Sequence, residues 1–165
     1  MKKVYAPWRG DYVKNVVHTK KDSTNPSKCI FCKQFSEQND EKNFILKRKD
    51  SVIVILNLYP YNAGHLMVIP IKHKASLHDL DIKTKNELID TVSISVEILK
   101  KELKPDGFNI GLNLGQAGGG GIPAHIHMHI VPRWNGDTNF FTVIGDTKAI
   151  SFNLVEIYNQ LKNSF

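Results

Sequence analysis

His125-Ile126-His127-Met128-His129-Ile130-Val131 is the stretch on which the reading of this 165-residue chain turns. Imidazole and apolar side chains alternate along it, and in an extended backbone residues two apart share a face. The three histidines therefore project together, while Ile126, Met128 and Ile130 turn to the opposite side as core. A single histidine on a strand is most often structural. Three on one face make poor core filler, because each ring brings two nitrogens that need partners when buried. A metal site and phosphate chemistry both use such a row. Along a straight strand the first and third Cα lie roughly 13–14 Å apart, too far for all three rings to wrap one ion comfortably. The spacing suits a division, with one imidazole at a reacting phosphorus and a neighbour at the phosphate oxygens.

Outward from this strand, the elements fall in a simple order. Val52-Ile53-Val54-Ile55-Leu56 is short, β-branched and apolar, the pattern of a buried strand. Pro60, Asn62 and Gly64 turn the chain, and His65 to Ile69 forms a second strand closed by Pro70. A helix is expected to open at Thr84 with Glu87 as its capping-box partner. Leu88, Val92, Val96, Leu99 and Leu103 give it one apolar face, and Pro105-Asp106-Gly107 ends it. Phe108 to Leu114 alternates as a third strand, Phe140 to Ile144 offers another, and Ser151 to Leu161 reads as a terminal helix. Residues 10–28 read as an irregular arm, and Ser36 to Lys42 as a polar loop. The expected fold class is α+β: an antiparallel sheet, a long helix between the strand pairs and a C-terminal helix. One domain over residues 1–165, with residues 1–28 as an N-terminal arm, accommodates all of it. No βαβ rhythm with a phosphate fingerprint occurs, which argues against a dinucleotide-binding or P-loop enzyme.

Composition narrows the function classes. The formal charge of +6 comes from scattered lysines, without a basic helix or a patch interleaved with aromatics, so nucleic-acid binding is not supported. No apolar run approaches the eighteen or so residues of a membrane span, and Val4-Tyr5-Ala6-Pro7-Trp8-Arg9 is no signal-peptide core. A cytoplasmic protein is expected. Its two cysteines, in Cys29-Ile30-Phe31-Cys32, cannot staple a secreted domain of this size. By themselves they leave a redox dithiol, a disulfide and half of a zinc site open; the redox reading expects a helix after the pair in a βαβ context.

The run His125 to Val131 resembles the signature of the histidine triad family of nucleotide hydrolases and transferases. Asn57, then Asn62 to Pro70, resembles the family's preceding strand pair. Val131 to Phe140, with Ala6-Pro7-Trp8-Arg9, is similar to its diadenosine tetraphosphate phosphorylase branch. The resemblance implies that His127 attacks the α-phosphorus of a nucleotide, giving a nucleotidyl-histidine intermediate, and that His129 hydrogen-bonds the phosphate or leaving oxygen. It implies a ribose contact for Asn57 and a pocket-lining role for His65. Asn113, on the site side of its strand, is a candidate phosphate or sugar contact. Family members often carry Gln and Ser or Thr where this chain has Gly121 and Ile122. Backbone N–H groups of the Gly118–Gly121 loop, Gly120 and Gly121 among them, are the expected replacement. The resemblance also completes a structural zinc site: Cys29 and Cys32 with His73 and His125. It further implies a homodimer or higher homo-oligomer, and Trp134 is a candidate stacking ring. The implied activity is that of a dinucleoside polyphosphate phosphorylase or hydrolase, with nucleoside phosphoramidate hydrolysis as the alternative.

Overall fold

The computed structural model describes residues 25–138, 144 and 152–165. Most of the expected N-terminal arm lies outside these residues, as does the expected strand at Phe140–Ile144 apart from Ile144. Five strands form one sheet: β1 Ile45–Arg48, β2 Val52–Leu56, β3 Leu66–Pro70, β4 Gly107–Leu112 and β5 Met128–Arg133. Their spatial order is β1-β2-β3-β5-β4, and every ladder is antiparallel. Among the described residues, the α-helices α1 Ile30–Ser36, α2 Ile82–Leu103 and α3 Leu154–Lys162 accompany them. The α+β expectation, with a long helix between strand pairs and a terminal helix, describes the molecule.

Both faces of the central strands are covered. Val52, Val54, Leu56, Leu66, Val68, Met128 and Ile130 pack on one side with Leu88, Val92 and Leu99 of α2 and Tyr158 and Leu161 of α3. Ile53, Ile55, Met67 and Ile69 face the other way, where Phe31 from α1 joins them. Burial on both faces is why β2 and β3 read as unbroken apolar runs.

Two elements escape the sequence patterns. β1 is four residues long, two of them Lys47 and Arg48, and its pairing is interrupted by a bulge between Ile45 and Lys47. Its carbonyls are satisfied from α3: Tyr158 Oη donates to Ile45 O at 3.2 Å, and Lys162 Nζ to Ile45 O and Leu46 O at 3.0 and 2.9 Å. α1 follows Cys29 directly, so the helix that a redox dithiol would want is present. The βαβ context is not, because all described ladders are antiparallel.

Helix α2 begins at Ile82, ahead of the expected Thr84. Asp81 is the N-cap, its carboxylate accepting from Thr84 N at 2.8 Å. Glu87 does not close a capping box; it accepts from Ser51 N at 2.7 Å and ties the helix to the β1–β2 turn. Gly64 sits at φ +69°, and a Cβ there would collide with Leu103 of α2. Its bare backbone lets the β2–β3 connection lie against the end of that helix.

The histidine strand is shorter than its alternation suggests. β5 starts at Met128, because β3 pairs with it only from Leu66 to Val68. Upstream, Ile126 N donates to Lys74 O at 2.7 Å, and His125 N to Ile122 O at 3.2 Å. The facing survives, with Ile126, Met128 and Ile130 all in the helix-side core.

Candidate active site

His127 and His129 line a cleft between α1, the β2–β3 connection and the glycine loop, with Asn57, Asn113, Gly119 and Gly121 also on its walls. The two rings meet edge to face at 4.8 Å. Hydrogen bonding fixes where each ring carries its proton. His127 Nδ1 donates to the backbone carbonyl of His125 at 2.8 Å, which leaves a lone pair on Nε2. Burial lowers its pKa, so the ring is neutral near pH 7.

The state of His129 follows from a chain of contacts. Tyr61 N is a backbone donor, so His65 Nδ1, 3.1 Å away, accepts. The Asn57 amide nitrogen, whose partner oxygen accepts from Tyr59 N, lies 3.3 Å from the same atom. His65 therefore holds its proton on Nε2 and donates to His129 Nδ1 at 2.9 Å. His129 is left with its proton on Nε2; the Asn113 amide group lies 3.5 Å from that nitrogen and pairs with its N–H when the amide oxygen is the atom turned towards it. Burial, and then the neighbouring histidines, push His65 down to about 3; burial and His127 push His129 down to about 4. All three rings are neutral; in the cleft His127 presents a lone pair and His129 an N–H.

A second cluster lies on the far side of His125. Cys29 Sγ is 3.4 Å from His125 Nδ1, Cys32 Sγ is 3.6 Å from the same nitrogen and 3.4 Å from His73 Nδ1. The four donor atoms lie within 4.8 Å of one another. A tetrahedral ion with thiolate bonds of about 2.3 Å and imidazole bonds of about 2.0 Å sets S···N separations of roughly 3.6 Å, so the donor set fits one. His125 Nε2 donates to Pro70 O at 2.8 Å, which leaves Nδ1 free to ligate. Burial and the adjacent Cys29 push Cys32 up to about 11; a bound cation reverses that preference.

A HIT domain model matches residues 37–136. The chain belongs to the HIT domain family. A curated HIT relative from Mycobacterium tuberculosis, named AP-4-A phosphorylase, is 36% identical over 150 residues, covering 91% of this chain and 77% of that one. Among solved structures, a zinc-bound histidine triad family protein from Mycobacterium smegmatis has a TM-score of 0.69 at 27% identity, covering 85% of this chain and 94% of that one. A hypothetical histidine triad nucleotide-binding protein from Sulfolobus tokodaii has a TM-score of 0.66 at 28% identity, covering 82% and 91%.

In this HIT chain the expected site residues divide into three groups. His127, His129, Asn57, Asn113 and Gly121 meet at the cleft. Cys29, Cys32, His73 and His125 form the second cluster. His65 and Gly120 lie elsewhere than expected. His65 is fully buried behind His129 and acts on that ring without lining the cleft. Gly120 N donates to Gly115 O at 3.1 Å and Gly119 N to Gln116 O at 3.1 Å, so both N–H groups are spent inside the loop. A Cβ on Gly120 would press on the carbonyls of Asn113 and Gly115. That glycine serves packing; of Gly120 and Gly121, it is Gly121 that lines the cleft. Trp134 does not line its own chain's cleft.

Sequence reasoning missed Phe31 and Tyr61. Phe31 packs its ring 5.2 Å from His127 and 5.6 Å from His125. Tyr61 covers His65 at 4.7 Å and supplies the N–H that orients it. The only signal for Phe31 was its place inside the cysteine pair; Tyr61 lies in a turn, where no periodicity marks it.

Proposed function

We propose that this chain transfers a nucleotidyl group from a dinucleoside polyphosphate to phosphate or water through His127, as a phosphorylase or hydrolase. The observation that carries the reading is the pairing of tautomers in the cleft: a lone pair on His127 Nε2 beside an N–H on His129 Nε2. The Nε2 lone pair of His127 forms a bond to the α-phosphorus, and the bond to the remaining polyphosphate breaks. The leaving oxygen keeps the electron pair, and His129 Nε2–H donates to it or to the phosphate as charge develops. His127 becomes cationic in the intermediate, which strengthens its Nδ1–H bond to the His125 carbonyl. Attack by phosphate or water then releases the nucleotide and restores the ring. Asn57 and Asn113 are the polar side chains placed for sugar or phosphate oxygens, and Gly121 N–H is the remaining backbone candidate. The AP-4-A phosphorylase relative favours the dinucleoside polyphosphate over a phosphoramidate.

Within the same proposal the four-residue cluster holds structural zinc, which joins α1 to the catalytic strand. A homo-oligomer belongs to it as well; the edge strand β4, with Ile110 and the following Leu114 exposed, supports that reading. The chain then acts as a single domain in the cytoplasm; no described helix is long and apolar enough to cross a membrane.

The test is a single-turnover assay with α-labelled diadenosine tetraphosphate. Wild type is expected to yield label bound to protein on acid quench, and His127→Ala to yield none and no turnover. Turnover by His127→Ala at the wild-type rate would reject the mechanism. Product distribution with and without phosphate assigns the acceptor.

A further inference from the structure

The wall of the cleft formed by the segment leading into β1 carries an unusual backbone. Phe44 has φ of 54°, in the left-handed region that bulky residues enter only under constraint. The constraints are visible. Phe44 N donates to Glu41 O at 3.1 Å, Leu56 N donates to Phe44 O at 2.9 Å, and Ile45 N donates to Asp40 O at 2.8 Å. The Phe44 ring packs edge-on against Tyr158 of α3 at 5.5 Å. This turn holds the preceding residue, Asn43, buried and on the cleft wall.

The amide of Asn43 cannot turn freely. Its Nδ2 donates to Glu37 Oε2 at 3.0 Å and to Asn39 O at 3.1 Å. Both partners only accept, so a flipped amide would set oxygen against a carboxylate and a carbonyl. Both hydrogens are spent, and the side chain is left with Oδ1 as a fixed acceptor. Gln34 of α1 lines the same cleft, together with the apolar or aromatic Ile30, Phe31, Leu58 and Tyr59. Apolar sides with amides at an edge suit a flat heterocycle. Phe31 belongs both to these sides and to the contact with His127, so the slot adjoins the reacting atom.

We propose that Asn43 reads the nucleobase: its Oδ1 accepts the exocyclic amino group of a 6-aminopurine, and the Gln34 amide meets the same edge of the ring. The assignment rests on the nucleotide reading above and adds the residue that sets base preference. A 6-oxopurine brings a carbonyl oxygen against an acceptor that Glu37 and Asn39 keep from rotating. Glutamine matches an adenine edge with one donor and one acceptor. If Asn43 served only to brace the loop, its two Nδ2 bonds would suffice and the two purines would bind alike.

The experiment is calorimetric binding of AMP, IMP and purine riboside 5′-monophosphate to the full chain. AMP is expected to bind about tenfold tighter than IMP, and the unsubstituted purine between them, since it forgoes a hydrogen bond without adding repulsion. In Asn43→Ala the AMP-to-IMP ratio is expected to fall towards one. Equal binding of AMP and IMP to wild type overturns the assignment while leaving the nucleotide reading intact, as does an unchanged ratio in Asn43→Ala. No binding of any of the three overturns the nucleotide reading itself.

Discussion

Acidifying the protein from pH 7.5 to 5 is expected to remove about 4 kcal/mol of stability through His65 and His129 alone. The folded chain holds these rings at about 3 and about 4, because burial penalises the imidazolium and the neighbouring histidines repel it. In the unfolded chain both titrate near the ordinary value of about 6.5. A folded pKa below the unfolded one means that the unfolded state binds more protons between the two values. The stabilisation is therefore complete above about pH 6.5 and is lost as pH falls towards the folded values. At pH 5 the unfolded form of each group is favoured by a factor of roughly thirty, or about 2 kcal/mol. That figure barely depends on the folded values, since at pH 5 both rings remain neutral in the fold and only the unfolded chain takes up protons. The assay is urea unfolding at pH 7.5, 6 and 5 for wild type and His65→Gln. Glutamine can accept from Tyr61 N and donate to His129 Nδ1, so it keeps the hydrogen-bond chain while deleting one titration. The acid loss in His65→Gln is expected to be about 2 kcal/mol smaller than in wild type, and this difference cancels any acid effect at the cysteine–histidine cluster. A wild-type-minus-variant gap that stays constant from pH 7.5 to 5 would refute the reasoning.

Two further outcomes follow from the site. Metal analysis of the purified full chain is expected to return close to one zinc per chain, and Cys29→Ser with Cys32→Ser to abolish it; unchanged zinc content in the double variant would exclude this ligand set. His129→Ala, which removes the N–H donor while leaving His127 and its carbonyl partner in place, is expected to lower kcat by about 10²–10³-fold with a much smaller change in KM. Steady-state kinetics on a dinucleoside polyphosphate decide, and a change confined to KM would assign His129 to substrate binding alone.

Much of this architecture could be read from alternation and punctuation. The apolar runs of β2 and β3 are buried on both faces, so their composition announced them. The spacing of Leu88, Val92 and Leu99 marked the face of α2 that the sheet covers. Where reading failed, the determinant was tertiary. β1 has only two buried residues, and its bulged carbonyls are completed by Tyr158 and Lys162 from more than a hundred positions away. Thr84 and Glu87 had the spacing of a capping box, but Asp81 was the better cap and Glu87 found a backbone donor on a neighbouring turn. Gly120 looked like an anion contact because local composition does not tell which N–H groups a loop spends on itself.

Three rings on one straight strand are too widely spaced to wrap one ion comfortably, and of the three only His125 joins the cluster with Cys29, Cys32 and His73. The ladder between β3 and β5 ends at Met128, so His125 lies beyond paired strand, where His73 and α1 converge on it. His125 turns its ring to the cysteines and its carbonyl to His127 Nδ1. One residue thereby belongs to both sites: whatever holds its ring holds the acceptor that keeps the proton of His127 on Nδ1. An ion at the cluster would fix the tautomer of His127 by anchoring the residue that supplies that carbonyl, without entering the cleft. The division of the row thus couples the cysteine–histidine cluster to the cleft, at the point where one strand runs out of partner.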